Sequence, residues 1–212
     1  MRIVCYGDSN TWGFNPLTGK RYEKPYPVLL RELFPDDEII SEGLNGRTMV
    51  YDDPFDKDRN AKKDIQRLIK THLPIDVLII MLGTNDAKRI FSTNPTSLQK
   101  GMRALIYQVL DADLYRSGFA MPKILVVRPP RMHPLYYKNA ETNMTFGEPG
   151  YQMLEQAGEA LSAIPTMFKD AGVDYLDTGD ICMAQAYDGI HMDAENHANL
   201  AQALEKRIRS YQ

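Results

Sequence analysis

The chain has 212 residues, of which 43% are hydrophobic and 25% charged, with a formal net charge of −3. That length suits one domain with a sizeable core and is short for two, so residues 1–212 read as a single domain. The mildly acidic balance argues against a dedicated nucleic-acid binder, and no apolar stretch reaches the length of a membrane span. Neither nucleic acid nor a membrane is therefore an expected partner. Cys5 and Cys182 lack metal-type or redox-type spacing and read as reduced, buried thiols. The apolar run 1–6 is too short for a secretory signal core, and these features point to the cytoplasm.

In chain order, a short apolar run predicts a strand over 2–6, and glycine-punctuated polar residues predict an irregular segment over 7–24. A helix is expected over 26–34, a strand over 38–41, a helix over 58–71 and a strand over 76–81. Leu98, Met102, Leu105, Val109 and Leu110 recur at spacings of three and four, which predicts a helix over 97–116. A strand over 123–127 follows. Residues 128–150, rich in proline, aromatics and methionine, predict a long loop serving as a pocket wall or a subunit contact. Leu154, Ala157, Leu161, Ile164 and Phe168 predict a helix over 151–170, kinked or divided at Pro165. A last strand over 173–176 precedes a helix capped by Asp193, with Leu200, Leu204 and Ile208 turned inward. All five strand runs have the continuous apolar character of strands covered on both faces. Strands alternating with helices predict an α/β fold with a parallel sheet and helices on either side.

Open parallel sheets bind ligands outside the carboxyl ends of their strands. Strand ends here run into Gly7-Asp8-Ser9-Asn10, Glu42-Gly43-Leu44-Asn45-Gly46-Arg47 and Leu82-Gly83-Thr84-Asn85-Asp86, and the chain after the fifth reaches Asp188-Gly189-Ile190-His191. Acyl transfer needs a nucleophile, a base, an orienting carboxylate and donors for an oxyanion. Ser9 offers the hydroxyl, although serine after Gly-Asp is also ordinary turn chemistry. His191 has an aspartate three residues earlier, and Asp188 on a turn can fix its tautomer. Metal ligation is the weaker reading, because no second His or Cys lies at ligand spacing. Asn85 can present an amide donor or simply cap a turn. Gly46 can present an unobstructed N–H, but Asn45-Gly46 is also a plain turn signal, and on these residues alone the turn reading ranks ahead. His72 reads as a helix-end residue, His197 as a packing residue, and His133 as a minor candidate for substrate contact. Asp8 reads as a cap without catalytic role, and Arg47 and Arg128 as loop anchors. Trp12 and Phe14, within five residues of Ser9, are candidate pocket walls.

With these residues assembled, the chain resembles the SGNH (GDSL-type) hydrolase superfamily, whose name abbreviates a serine, a glycine, an asparagine and a histidine in four blocks. The matching positions are Ser9, Gly46, Asn85 and His191, in the family's order. Thr11-Trp12-Gly13, Glu42-Gly43-Leu44, Ile79–Asp86 and Asp188–His191 are similar to the mycobacterial arylesterase/acyltransferase branch. The resemblance implies a three-layer α/β/α, flavodoxin-like fold with five parallel strands. It implies a serine esterase acting without cofactor or metal on small-molecule esters, with Ser9, Asp188 and His191 as triad. It implies an oxyanion hole of the Ser9 N–H, the Gly46 N–H and the Asn85 side chain, acyl transfer to alcohols in some members, and assembly into homo-oligomers such as octamers. The family's usual residue after the nucleophile is Leu, and here it is Asn10. Carbohydrate acetylesterase and thioesterase activities belong to the same class. The reading from a different class is a non-catalytic flavodoxin-like module binding a phosphorylated ligand at strand-end glycines and helix N-termini.

Overall fold

Seven strands and nine α-helices form in the computed structural model, which describes residues 1–212. The strands are β1 (Arg2–Gly7), β2 (Phe14–Asn15), β3 (Lys20–Arg21), β4 (Glu38–Gly43), β5 (Val77–Met81), β6 (Lys123–Val127) and β7 (Asp174–Leu176). The helices are α1 (Ser9–Trp12), α2 (Tyr26–Leu33), α3 (Ala61–His72), α4 (Pro95–Val109), α5 (Ala140–Thr145), α6 (Gly147–Glu155), α7 (Ala157–Ser162), α8 (Ile164–Met167) and α9 (Ala194–Arg209). None is long and apolar enough to cross a membrane.

The period-two alternation of strand side chains sets the layers. Val4 and Tyr6 of β1, Leu78 and Ile80 of β5, and Ile124 and Val126 of β6 face α3, α4, α6 and α7. Ile3 and Cys5, Val77, Ile79 and Met81, and Leu125 and Val127 face α2 and α9. The sheet is therefore the middle of an α/β/α sandwich. Its order is β4-β1-β5-β6-β7, parallel throughout. This is the flavodoxin-like order, in which the chain winds in opposite directions from β1 and opens a crevice between β1 and β5 at their carboxyl ends.

All five expected strands are present, with two corrections. β4 and β7 are the sheet's edges, and only Ile39 in the first and Leu176 in the second are buried, so they are not covered on both faces like the central three. The helix expected over 97–116 stops at Val109, and a 3₁₀ turn at Ala112–Tyr115 follows. The segment 151–170 is divided at Gln156 as well as before Pro165, which sits in the first turn of α8, where a missing N–H costs no hydrogen bond. Asp193 caps α9, accepting the Asn196 N–H at 2.8 Å. Residues 128–150 are not a long loop. They contain a 3₁₀ turn at Tyr136–Lys138, α5, and the start of α6. Likewise 7–24 holds α1 and the small β2–β3 hairpin. Both cysteines are free and buried.

Candidate active site

The first strand delivers the hydroxyl. β1 ends at Gly7, and Asp8 caps the single-turn helix α1 by accepting the Asn10 N–H at 2.9 Å, which makes Ser9 the first helical residue. The backbone of α1 lies against the end of β4. A Cβ on Gly43 would come within 2.2 Å of Trp12 N, so only glycine lets the two approach. The Ser9 N–H is one of the free donors of a helix start and has no acceptor within the protein.

The loop before α9 delivers the imidazole. Asp188 folds its own turn by accepting the N–H groups of Ile190 and His191 through Oδ1, both at 3.1 Å. Its Oδ2 lies 2.5 Å from His191 Nδ1, and His191 Nε2 lies 2.9 Å from Ser9 Oγ. With the proton on Nδ1 donated to Asp188, Nε2 is left to accept from the serine hydroxyl. Burial pushes the Asp188 carboxyl up, but the His191 ring and the two backbone N–H groups outweigh it and hold it below the usual carboxylate range. The Phe14 ring covers the imidazole at a centroid distance of 4.7 Å.

Asn10, which the sequence marked only as a departure from leucine, ties these two pieces together. Its Oδ1 accepts the Met192 N–H at 3.0 Å, and its Nδ2 donates to the Ile190 carbonyl at 3.4 Å. The peptide groups on either side of His191 are thus held by the residue after Ser9. A buried amide replacing an expected apolar side chain was the signal available for this role.

The third side of the crevice comes from β4 and β5. Gly46 has φ of +82°, a left-handed turn that glycine adopts freely, and its N–H has no acceptor within the protein. Asn85 is buried at the start of a 3₁₀ turn and donates one Nδ2 hydrogen to the Arg47 carbonyl at 3.1 Å. That bond fixes the amide and leaves its other hydrogen free. Arg47 is held by the carbonyls of Gly7 and Glu42 and by stacking over Tyr6, and Arg128 by Asp177 and the carbonyls of Leu154 and Glu155. Both are the loop anchors expected.

Beneath the crevice two buried carboxyls are raised by desolvation, Asp8 to about 6 and Asp86 to about 7. Asp86 accepts the Met49 N–H with both oxygens, at 3.0 and 3.1 Å, and so pins the loop that carries Gly46.

Ser9, Phe14, Gly46, Asn85, Asp188 and His191 line one cleft of about 820 Å³. Trp12 does not line it. Its ring packs on Phe14 and under the Arg21 guanidinium, because α1 turns it away from the crevice. His133 also stays outside, accepting the Leu135 N–H. His72 ends α3 and lies 2.7 Å from Glu42 Oε1, and His197 is buried in α9, accepting the Tyr26 N–H at 3.4 Å. Sequence reasoning missed much of the remaining wall: Phe55, Arg59, Lys88, Arg89 and Tyr187. Met144 and Phe146 of α5 and its end also line the cleft, as the pocket-wall expectation for 128–150 requires.

A flavodoxin-like sheet with Ser, Gly, Asn and His blocks at its switch point defines a class of hydrolases, and comparison with known proteins agrees. The GDSL-like Lipase/Acylhydrolase family matches residues 5–200. The chain belongs to that family and is a carboxylic ester hydrolase. A carbohydrate acetylesterase from Sinorhizobium meliloti is 32% identical, covering 100% of this chain and 99% of that one, with a TM-score of 0.91. The aryl esterase of M. smegmatis is 34% identical over 100% of this chain and 99% of that one, with a TM-score of 0.88. A carbohydrate acetylesterase family member, also from Sinorhizobium meliloti, is 30% identical over 99% and 97%, with a TM-score of 0.91. Comparison with curated proteins found no significant match.

Proposed function

We propose that the protein hydrolyses short-chain carboxylic esters through an acyl-enzyme on Ser9. The observation that carries this reading is the hydrogen-bonded series Ser9–His191–Asp188 at the β1/β5 crevice. His191 Nε2 takes the Ser9 proton as Oγ bonds to the ester carbonyl carbon. The carbonyl oxygen becomes an oxyanion, held by the N–H groups of Ser9 and Gly46 and the free amide hydrogen of Asn85. The tetrahedral centre collapses, the C–O bond to the alcohol breaks, and His191 returns its proton to that oxygen. Water, deprotonated by His191, then attacks the acyl carbon and releases the acid and Ser9. An alcohol in place of water yields a new ester, which is acyl transfer. Every step moves a proton or an acyl group, so the cycle calls for no cofactor or metal.

Acetylated carbohydrates are the second reading, favoured by the likeness to the two Sinorhizobium proteins and by Asn45, Asn139 and Thr142 on the cleft wall. The deciding experiment treats the protein with a fluorophosphonate probe and runs a panel of 4-nitrophenyl esters, acetylated sugars and acyl thioesters. We expect stoichiometric labelling of Ser9, none in Ser9→Ala, and ester turnover that follows the same pattern. Saturable nucleotide binding without labelling would instead favour a non-catalytic binding module.

A further inference from the structure

The cleft wall beside Gly46 and Asn85 is cationic, and nothing in the ester-cleavage cycle requires it to be. Arg59, Lys88 and Arg89 all line the cleft that holds Ser9. Arg59 sits directly against Gly46, since a Cβ there would meet its Nε at 2.5 Å. Arg59 and Lys88 share one buried carboxylate, Asp53, at 2.8 and 3.7 Å, and Arg59 also reaches the more exposed Asp56 at 3.3 Å. Arg89 has no carboxylate partner. Its Nε donates to the Phe146 carbonyl at 3.3 Å, which fixes the guanidinium on the wall without neutralising it. The other acids of the cleft are Asp188, engaged with His191, and the exposed Glu141.

Two of these cations, Lys88 and Arg89, continue into a neighbouring cavity. It measures about 560 Å³ and is lined by Lys88, Arg89, Ser92, Thr93, Ala87 and Pro149, with no acid among them. Ser92 is exposed, and its hydroxyl donates only a long bond of 3.5 Å, to Arg89 O. Thr93 Oγ1 is buried without a partner in the protein, an orphaned hydroxyl that a ligand entering this cavity would satisfy. Burial draws the Lys88 ammonium down, with Asp53 opposing, so an arriving anion would further favour its charged form. Two cations with one weakly bonded and one unpartnered hydroxyl are the chemistry that receives a carboxylate or a phosphate.

We infer that the Lys88–Arg89 wall, with Ser92 and Thr93 behind it, binds an oxyanion carried by the ester substrate, so that the enzyme selects esters bearing a carboxylate or phosphate. This rests on the reading of Ser9 as nucleophile, because the anion is placed relative to an ester carbonyl at Ser9. The shared chemistry has two possible positions, the acyl chain or the alcohol, and a third source is a free anion acting as effector.

Two matched pairs separate these. One sets mono-4-nitrophenyl glutarate against 4-nitrophenyl pentanoate, and the other sets 4-carboxyphenyl acetate against 4-methylphenyl acetate. At low salt the charged member of one pair is expected to have a kcat/KM about tenfold higher, because it gains charge-assisted hydrogen bonds that its apolar partner cannot form. The preference should shrink with added salt, and inorganic phosphate should compete with the charged ester. Arg89→Glu, an exposed change, should remove or invert the preference, and Lys88→Gln should weaken it. Equal kcat/KM within both pairs in a protein that still turns over the neutral esters would overturn the inference while leaving the esterase intact. Phosphate that alters neutral-ester turnover without competing with the charged ester would also overturn it, in favour of a separate effector. Loss of all ester turnover and of Ser9 labelling would remove the esterase reading itself.

Discussion

The two halves of the cleft are built differently. On one side Ser9, Asn10, Asp188 and His191 are held by short hydrogen bonds between residues that are themselves buried or nearly so. On the other, Phe55, Ile90, Met144 and Tyr187 stand exposed at the rim, and Arg59, Lys88 and Arg89 carry charge into it. The proton relay proposed for these residues works only within a narrow range of distance and angle, so its parts must be fixed by their neighbours. A wall that receives varied substituents has no such demand. The contrast predicts that substitutions on the fixed side act on kcat and by large factors, and those on the wall act on KM and selectivity by small ones.

The largest effect is expected from Asp188→Asn. Its side-chain oxygen can still accept the Ile190 and His191 N–H groups, so the turn should survive. The amide then faces Nδ1 as a donor and moves the ring proton to Nε2, where it cannot accept from Ser9. A fall in kcat of about 10⁴ is expected with little change in KM. A loss confined to KM would mean that Asp188 shapes the cleft rather than the imidazole. Asn85→Ala comes next, with kcat lowered about 100- to 1000-fold by loss of one oxyanion donor. A variant that keeps near-normal turnover would place the oxyanion elsewhere.

Asn10→Leu tests the link between the halves of the relay. It installs the family's usual residue and leaves the buried Met192 N–H and Ile190 carbonyl without their partner. We expect kcat about ten- to a hundredfold lower, because a misplacement of 1 Å costs about that much. The rate of fluorophosphonate labelling should fall in step. If labelling is unchanged while Tm drops, Asn10 serves the fold alone.

Buried titrating groups extend the comparison to stability. His197 lies on the α2/α9 side of the sheet, where burial draws its pKa to about 4. A histidine depressed in the folded state stabilises above its unfolded pKa of about 6.5 and loses that contribution as pH falls toward about 4. Asp8 and Asp86, under the crevice, have the opposite sign: raised to about 6 and 7, they stabilise at low pH and lose it as pH rises through those values. The difference between wild type and His197→Gln cancels the two carboxyls. Denaturant titration should show wild type losing about tenfold in its folding constant relative to the variant between pH 7.5 and 5.5. A pH-independent difference would mean that His197 titrates normally.

The same contrast explains what was legible in the sequence. β1, β5 and β6 were readable because burial on both faces leaves a continuous apolar run, and α9 because Asp193 and its inward leucines agree. Asp188 and His191 were readable because their spacing of three on a turn is itself the geometry, whereas Ser9, Gly46 and Asn85 read as turn chemistry until the four blocks were matched together to the hydrolase family. The helices within 128–150 were not, because α5 is six residues long and α6 carries Gly147, Pro149 and Gly150, which break the helical pattern. Pro149 is tolerated there because it falls in the first turn. The cleft wall was illegible for a different reason. Phe55, Arg59, Lys88, Met144 and Tyr187 come from separate segments with no shared periodicity, and only the folded sheet brings them to one rim.

Phe55 offers the smallest and most discriminating test of that wall. Its side chain is 85% exposed, so Phe55→Ala should leave the fold unchanged. An aromatic ring at the mouth of an ester cleft contributes only when an apolar part of the substrate covers it. Partial burial of such a ring, at about 25 cal/mol per Å², gives about 1 kcal/mol, or about fivefold in KM. The rise should appear for aryl and longer acyl esters and be absent for small acetylated sugars, with kcat unaltered for both. A drop in kcat for every substrate would show that the two sides of the cleft are mechanically coupled, and the division between a fixed relay and a permissive wall would then fail.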